Sequence, residues 1–507
     1  PSSAASDVYK RQVYGMMGNA RFVAENKDEL FLNQLERYRR GIENIDEDAI
    51  RPYYVDQTDR LGADADNFRP RYAENQNFFP EYYLIPLNSN AQRDRAAARD
   101  MVEYLIHNRV AVMGLDEDVI LPANEFRGEV RCTAGDVVVD MHQAKRNMAN
   151  ASLYSNLVVA NWTKLYSEPV TNFPDFRGFD VEVVTTPEAF ATAKMHPLEA
   201  APVVETVLVG DGSTVVIDNN GIQALQAVNE LLAAGETVGI ITEGEHRGDF
   251  VVARASFDKV SSVYVLDATA TKITPVAKGI APDIAIYVSR AGEEFMVDEN
   301  GEPYGLKGYT GWETQSYNWD RFALGNQMGF TIVEALEDAS VLVGSCALDE
   351  AEAAAVQGGK PCVAYSQAAL ASLRDAGLDI EIDVEADGLF DTLTTVSFPE
   401  ESLITAPYQD KNDYLFYGHG GSFITAVPKE AHVLVKTTDD DFIEGFIDET
   451  HRERYKNTVQ AIDFQDGDWN VTLFANSMTN KAHQLHEYRY LAMAIYDKFL
   501  QGDVAFS

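Results

Sequence analysis

Between Phe78 and Asn150 the apolar positions switch period twice. Residues 82–87 are a short apolar run ended by Pro86, which predicts a strand. Ala98, Met101, Val102 and Leu105 then recur at the spacing of one buried helix face, which predicts a helix over 96–106. Two further strands are expected at 110–113 and, after the turn at Gly135-Asp136, at 137–141. This β-α-β design predicts a small α/β module over 78–190.

A second stretch, 203–278, has the same design. ALQAVNELLAAGETVGI (224–240) parallels ARDMVEYLIHNRVAVMG (98–114), and GDFVVA (248–253) parallels GDVVVDM (135–141). We read it as a degenerate duplication. From 282 to 500 strands and helices alternate with short turns: strands at 284–288, 340–344 and 362–365, and helices at 319–328, 348–356 and 367–375. That alternation predicts a parallel sheet covered on both faces. Later strand-and-turn segments are expected at 417–429 and 469–475, and a closing helix at 481–500. Upstream, 13–45 reads as helix with Phe31, Leu35 and Tyr38 on one face and Gly41 as a stop signal, and 46–77 reads as a polar linker. Residues 1–12 match no later pattern and read as a non-native, adapter-like leader.

The 507 residues carry 80 acidic and 41 basic side chains, a net charge of −39. Nucleic acid and anionic membrane surfaces need positive charge and are poor partners for such a chain. The acid is spread evenly and suits a solvated, repulsive surface; cationic peptides or cell-wall amines are the sharper alternative. No run reaches the roughly 18 apolar residues of a membrane span. Cys132, Cys346 and Cys362 are too few for a disulfide framework or a multi-cysteine zinc site, and each lies in or beside an apolar run, so core packing is expected.

FPEYYLIPL, the MVEYL helix, GDVVVDMHQAKRNMAN and NFPDFRGFD (172–180) resemble the region that follows the catalytic domain in large bacterial zinc carboxypeptidases, and WTKLY (162–166) continues the likeness. The 282–500 domain is similar to the class I glutamine amidotransferase-like, flavodoxin-like domain appended to those enzymes. By this resemblance 13–45 is the terminal helix of a truncated catalytic domain. Its apolar face, without its partner, is expected to fray or dock elsewhere. The parent binds zinc and removes C-terminal residues from peptides or cell-wall material, outside the cell or in its envelope. This chain is then an accessory part without the zinc, and its first partner is the missing catalytic domain.

The family's zinc ligands are a His-x-x-Glu pair and a distant second His. His196 and Glu199 form the only His-x-x-Glu here, with Pro197 inside the pair and no strand expected before it. With nine histidines and 80 acids, one or two His-x-x-acid pairs arise by chance, and two occur, the other being His246 and Asp249. His483 and His486 stand one helical turn apart, with no third ligand evident. An amidotransferase needs a Cys on a sharp strand-to-helix elbow, whereas Ser366 and Gln367 occupy the turn of CVAYSQAALASL. Ser366 is then a candidate serine nucleophile with His419 as its base, or the elbow is purely structural and the cleft a non-catalytic binding site. Arg247-Gly248-Asp249 matches an adhesion tripeptide, and a turn into strand 250–253 explains it better.

Overall fold

A computed structural model describes residues 2–45, 71–88, 91–154, 158–160, 172–291, 295–300, 303–306, 312–383, 391–447 and 449–506. The resemblance at 162–166 and most of the expected linker fall outside these. The architecture is mixed α/β, with three principal sheets.

The chain opens with two helices, α1 (Ser2–Glu25) and α2 (Lys27–Glu43). Phe31, Leu35 and Tyr38 are exposed, so the apolar face of α2 has no cover among the described residues. Among these residues it is the end of α2 that docks. Gly41 lies so close to the Gln143 carbonyl that a Cβ would meet it at 2.7 Å, and the buried Asn44 donates to the Pro80 carbonyl.

The first sheet uses β1 (Tyr82–Ile85), β2 (Met113–Leu115), β3 (Val137–Asp140), β4 (Glu182–Val184) and β5 (Met195–Pro197), in the order β4-β1-β3-β2-β5. Helix α3 (Arg95–His107) links β1 to β2 and buries the predicted Ala98, Met101, Val102 and Leu105. Helix α4 (Arg146–Leu153) follows β3. The second sheet uses β6 (Val207–Gly210), β7 (Thr214–Ile217), β8 (Val238–Ile241), β9 (Phe250–Ala253), β10 (Asp267–Thr271) and β11 (Ala277–Ile280), with α5 (Ile222–Ala233) between β7 and β8 and α6 (Arg254–Val260) after β9. Its central order is β10-β7-β9-β8-β11, and every neighbouring pair in both five-strand sets is antiparallel.

The two sheets therefore share chain order, strand order and direction, and the likeness reaches single hydrogen bonds. In the first, the Gly135 amide donates to Leu115 (2.8 Å), Leu115 to Asp136 (2.9 Å) and Asp136 to Thr133 (3.0 Å). In the second, Gly248 donates to Ile241 (2.9 Å), Ile241 to Asp249 (3.0 Å) and Asp249 to His246 (3.0 Å). The carboxylates of Asp136 and Asp249 each accept, at 2.9 Å, the amide two residues past the end of the facing strand, Leu87 or Asn219. Both glycines have positive φ, +95° at Gly135 and +89° at Gly248, which the turn requires.

The third sheet runs β13-β12-β14-β15-β20-β19-β18-β16-β17, with β12 (Ala285–Val288), β13 (Thr331–Ile332), β14 (Val341–Gly344), β15 (Cys362–Tyr365), β16 (Asp391–Ser397), β17 (Leu415–His419), β18 (His432–Ile447), β19 (Val459–Asp466) and β20 (Trp469–Phe474). The half from β13 to β20 is parallel. From β20 onward the neighbours in this order pair antiparallel, so the parallel half continues into a mixed sheet. Alternate residues of β14 and β15 face two different cores, as a sheet covered on both faces requires.

The expected closing helix is shorter. Two 3-10 turns precede α10 (Tyr488–Asp497), and Leu500–Asp503 forms a final strand, β21, against β11 of the second sheet. One apolar cluster joins α5, α10 and the parallel strands, and Tyr496 donates to Asn229 across it at 2.9 Å. The chain boundary near 280 is thus not a packing boundary. No described helix is long and apolar enough to cross a membrane.

Candidate functional site

The carboxyl ends of β14, β15 and β20 converge. In parallel α/β sheets the loops leaving these ends define the usual ligand crevice. Here they supply Ser345 and Cys346 after β14, Ser366 and Gln367 after β15, and Ala475 and Ser477 after β20. β17 adds His419 and Gly420, and the helix α7 (Trp312–Arg321) adds Ser316 and Trp319. Together they enclose a cavity of about 320 Å³ in which, among the described residues, no lining side chain is acidic, lysine or arginine.

Ser366 stands where β15 turns into α9 (Gln367–Asp375), at φ 109° and ψ 158°, a region populated almost only by glycine. The sharp turn is a consequence of pairing. The Ser366 amide donates to Phe474 in the last rung of the β15–β20 ladder, and the next residue is already helical. Its hydroxyl donates to the Ser345 carbonyl at 2.6 Å and accepts the Ala369 amide at 3.3 Å, capping α9. A serine whose proton is committed to a carbonyl is not an activated nucleophile. His419 lines the same cavity, and the backbone pairs His419 with Ser477, whose amide donates to it at 3.2 Å. The structure thus brings Ser366 and His419 to one site.

A wholly buried carboxylate supports the wall. Asp320 on α7 accepts the Ser345 amide at 2.8 Å, the Ser345 hydroxyl at 2.7 Å, the Tyr365 hydroxyl at 2.8 Å and the Thr479 hydroxyl. Burial pushes its carboxyl up to about 6 against these four donors. Asp320 fixes α7, and with it Trp319, to the ends of β14 and β15. Asn476 does the same for the Gly420–Ser422 turn, accepting the Ser422 amide and donating to the Ser422 carbonyl, each at 2.9 Å. Neither residue was visible as functional in the sequence. Cys362 points into the sheet's other core, where burial raises its thiol to about 12, so it does not reach the elbow.

His196 and Glu199 lie elsewhere. His196 is in β5, paired with Gly114 of β2, which corrects the expectation that no strand holds the pair: the flanking residues complete the sheet edge despite Pro197. Its exposed ring meets Asp116 at 2.8 Å, and Glu199 lines a separate surface groove with Arg99 and His107. His483 and His486 do not share a helix face. His483 stacks on Phe176, with centroids 5.7 Å apart. His486 is buried between Asp413 (2.8 Å) and Glu487 (3.3 Å), which raise its imidazole to about 9 against the cost of burial. The adhesion-like tripeptide is the Gly248 turn itself: Arg247 pairs with Asp410 at 2.7 Å and Asp249 is buried.

No protein-family model matches the chain, and no curated protein matches it. Among solved structures the chain is similar to a glutamine amidotransferase from Thermotoga maritima, at 10% identity over 43% of this chain and 98% of that one, with a TM-score of 0.25. PurLQS from Thermotoga maritima matches at 11% identity over 42% of this chain and 97% of that one, TM-score 0.25. An exo-beta-1,4-mannosidase from Opitutaceae bacterium strain TAV5 matches at 9% identity over 44% of this chain and 37% of that one, TM-score 0.25. None of these likenesses bears on activity.

Proposed function

We propose that the cavity at the ends of β14, β15 and β20 is a non-catalytic binding site for a small neutral ligand bearing hydroxyl or amide groups, in a glutamine amidotransferase-like cleft that has lost its nucleophile. The observation that carries this reading is the strained Ser366 backbone, held at the mouth of a cavity whose described polar lining is hydroxyls, one thiol, one amide, one imidazole and one indole, without formal charge. Strain of this kind costs on the order of 1–3 kcal/mol and persists where the surroundings demand it. An uncharged, hydroxyl-rich wall with an aromatic face suits a neutral polar guest over an ionic one.

The test is a thermal-shift and equilibrium-binding panel of neutral monosaccharides and neutral amides against charged amino acids. A guest that binds the folded state raises Tm in proportion to its concentration over Kd. Saturable binding of neutral members, lost in Trp319→Ala, is the expected result; a preference for charged members would sink the reading. Ser366→Gly should unfold no more easily than wild type, because relief of backbone strain offsets two lost hydrogen bonds of about 1 kcal/mol each.

The second reading is a serine hydrolase, favoured by the elbow geometry of Ser366 and by His419 in the same cavity. It predicts ester turnover that Ser366→Ala abolishes. The committed Ser366 proton argues for no turnover. The placement of this module behind a zinc carboxypeptidase catalytic domain, acting on peptides or cell-wall material outside the cell, rests on the sequence resemblance alone.

A further inference from the structure

The duplicated Gly-Asp turn is the starting point. In the first copy Asp136 is satisfied locally: it accepts the Leu87 amide at 2.9 Å and, from Thr133, the amide at 2.8 Å and the hydroxyl at 3.1 Å. The fold needs nothing more at this turn. In the second copy the equivalents of Pro86 and Thr133 are Asp218 and His246. Those two positions surround the conserved-geometry Asp249 with chemistry that the first copy shows to be dispensable for folding.

The added groups converge. One ligand atom from each of Asp218, His246 and Asp249 lies within 4.8 Å of the others. His246 Nδ1 is 3.2 Å from Asp249 Oδ2. That is a hydrogen bond, and it is also close to the roughly 3.3 Å edge between two ligands held about 2.0–2.2 Å from one metal. The Asp218 carboxylate makes no hydrogen bond or ion pair among the described residues, and it faces a cleft of about 290 Å³ between the second sheet and the C-terminal domain. Beside it Asn219, fully buried, has a side-chain oxygen without a donor. Burial pushes the Asp218 carboxyl up to about 6, with Lys411 opposing the rise and Asp249 and Asp267 adding to it. The second copy has thus gathered more negative charge than its turn can use.

Three cationic side chains line this cleft: Arg93 and Arg489 are held by Asp413, and the third reaches the cluster itself. Lys411, from the C-terminal domain, places its ammonium 2.8 Å from Asp249 Oδ1 and also lines the cleft. Lys411 is exposed and its stem flexible, so the ammonium can be displaced. We propose that Asp218, His246 and Asp249 bind a divalent transition-metal cation in competition with the Lys411 ammonium. One imidazole and two carboxylates suit zinc or manganese, whereas calcium and magnesium favour all-oxygen sets.

The experiment is equilibrium dialysis and calorimetry of the full chain, first stripped with chelator, using Zn²⁺ alone and Mn²⁺ alone near neutral pH. The expected result is one saturable site. Asp218→Asn and His246→Ala each weaken it by at least the roughly 10–100-fold that loss of even an outer partner costs. Lys411→Met tightens it about tenfold or more, since removing a unit charge a few ångströms away favours a competing cation. His196→Ala leaves it unchanged. Circular dichroism of each variant separates loss of the site from loss of the fold. No saturable binding in either wild type or Lys411→Met would overturn the proposal, as would binding that survives Asp218→Asn and His246→Ala or that weakens in Lys411→Met.

Discussion

The first and second sheets solve one topological problem with different neighbours. Both place a buried aspartate at a glycine turn to cap the end of the facing strand. Around Asp136 the turn is closed by its own residues. Around Asp249 it is open to the rest of the molecule: Arg247 grips Asp410, Lys411 grips Asp249, and Gly248 lies against Ala406 and Pro407. The helix starts diverge in the same sense. Asp94 caps α3 through the Ala97 amide, whereas α5 begins at Gly221, whose missing side chain leaves room for that same Asp94 carboxylate. A repeated unit keeps its backbone hydrogen bonds and changes what it presents, because the bonds are fixed by sheet geometry and the presented side chains are not.

The sharpest way to break the comparison is the glycine pair. Gly135→Ala meets nothing within 4 Å and carries only the positive-φ cost, roughly 1–2 kcal/mol. Gly248→Ala adds a Cβ 2.8 Å from Ala406 Cβ and 3.0 Å from the Pro407 nitrogen. It should cost about 4 kcal/mol in urea unfolding, since overpacking adds to the strain. Equal losses would mean that the second turn does not bear on the C-terminal domain.

Next comes the cap that the first copy alone possesses. Burial raises the Asp94 carboxyl to about 6, above its unfolded value near 3.8. The folded state therefore holds the proton more tightly, so this group destabilises above pH 6 and is relieved as the pH falls toward 4. The swing is on the order of 3 kcal/mol. Asp218 and Asp320 shift in the same direction, so Asp94→Asn should shrink the acid-side gain in stability rather than remove it. An unchanged slope in a pH series of unfolding free energies would refute the assignment.

The smallest contrast lies in the residue three before each aspartate. Thr133→Val removes the hydroxyl bond to Asp136 and the one accepted from the Asn88 side-chain amide, and should cost about 1–2 kcal/mol. His246→Ala should cost less, because Asp249 keeps both Lys411 and the Asn219 amide. Chemical denaturation of the two variants side by side checks the order.

How much of this was legible depends on what fixes each feature. Strand 362–365 and helix 367–375 coincide with the observed elements, because a continuous apolar run followed by a hydroxyl cap leaves little choice. β2 begins three residues later than the expected strand, since the apolar run from 110 to 115 does not itself say which residues pair. The antiparallel strands β16 to β19 were largely missed: Thr- and Asp-rich segments such as 436–441 take their strand character from partners, not from periodicity. At the candidate site, Ser366 and His419 were found through the elbow pattern, whereas Asp320 was indistinguishable from any other acid in a strongly acidic chain. His246 and Asp249 were counted as a chance spacing, and only the duplicated turn gives the pair a context.

The final strand carries a temporal consequence. β21 completes the outer edge of β11, pairing Lys278 with Asp503, and Val504 fills the space left by Gly239 and Gly279. A ribosome therefore delivers that edge last, after the entire domain between them has emerged. Until then β11 offers bare amides and carbonyls, the kind of template on which nascent chains join one another. Closing so long a loop is slow compared with forming the hairpins inside it. The second sheet is thus early to begin and late to finish, and the interval between is when the growing chain has most need of a chaperone.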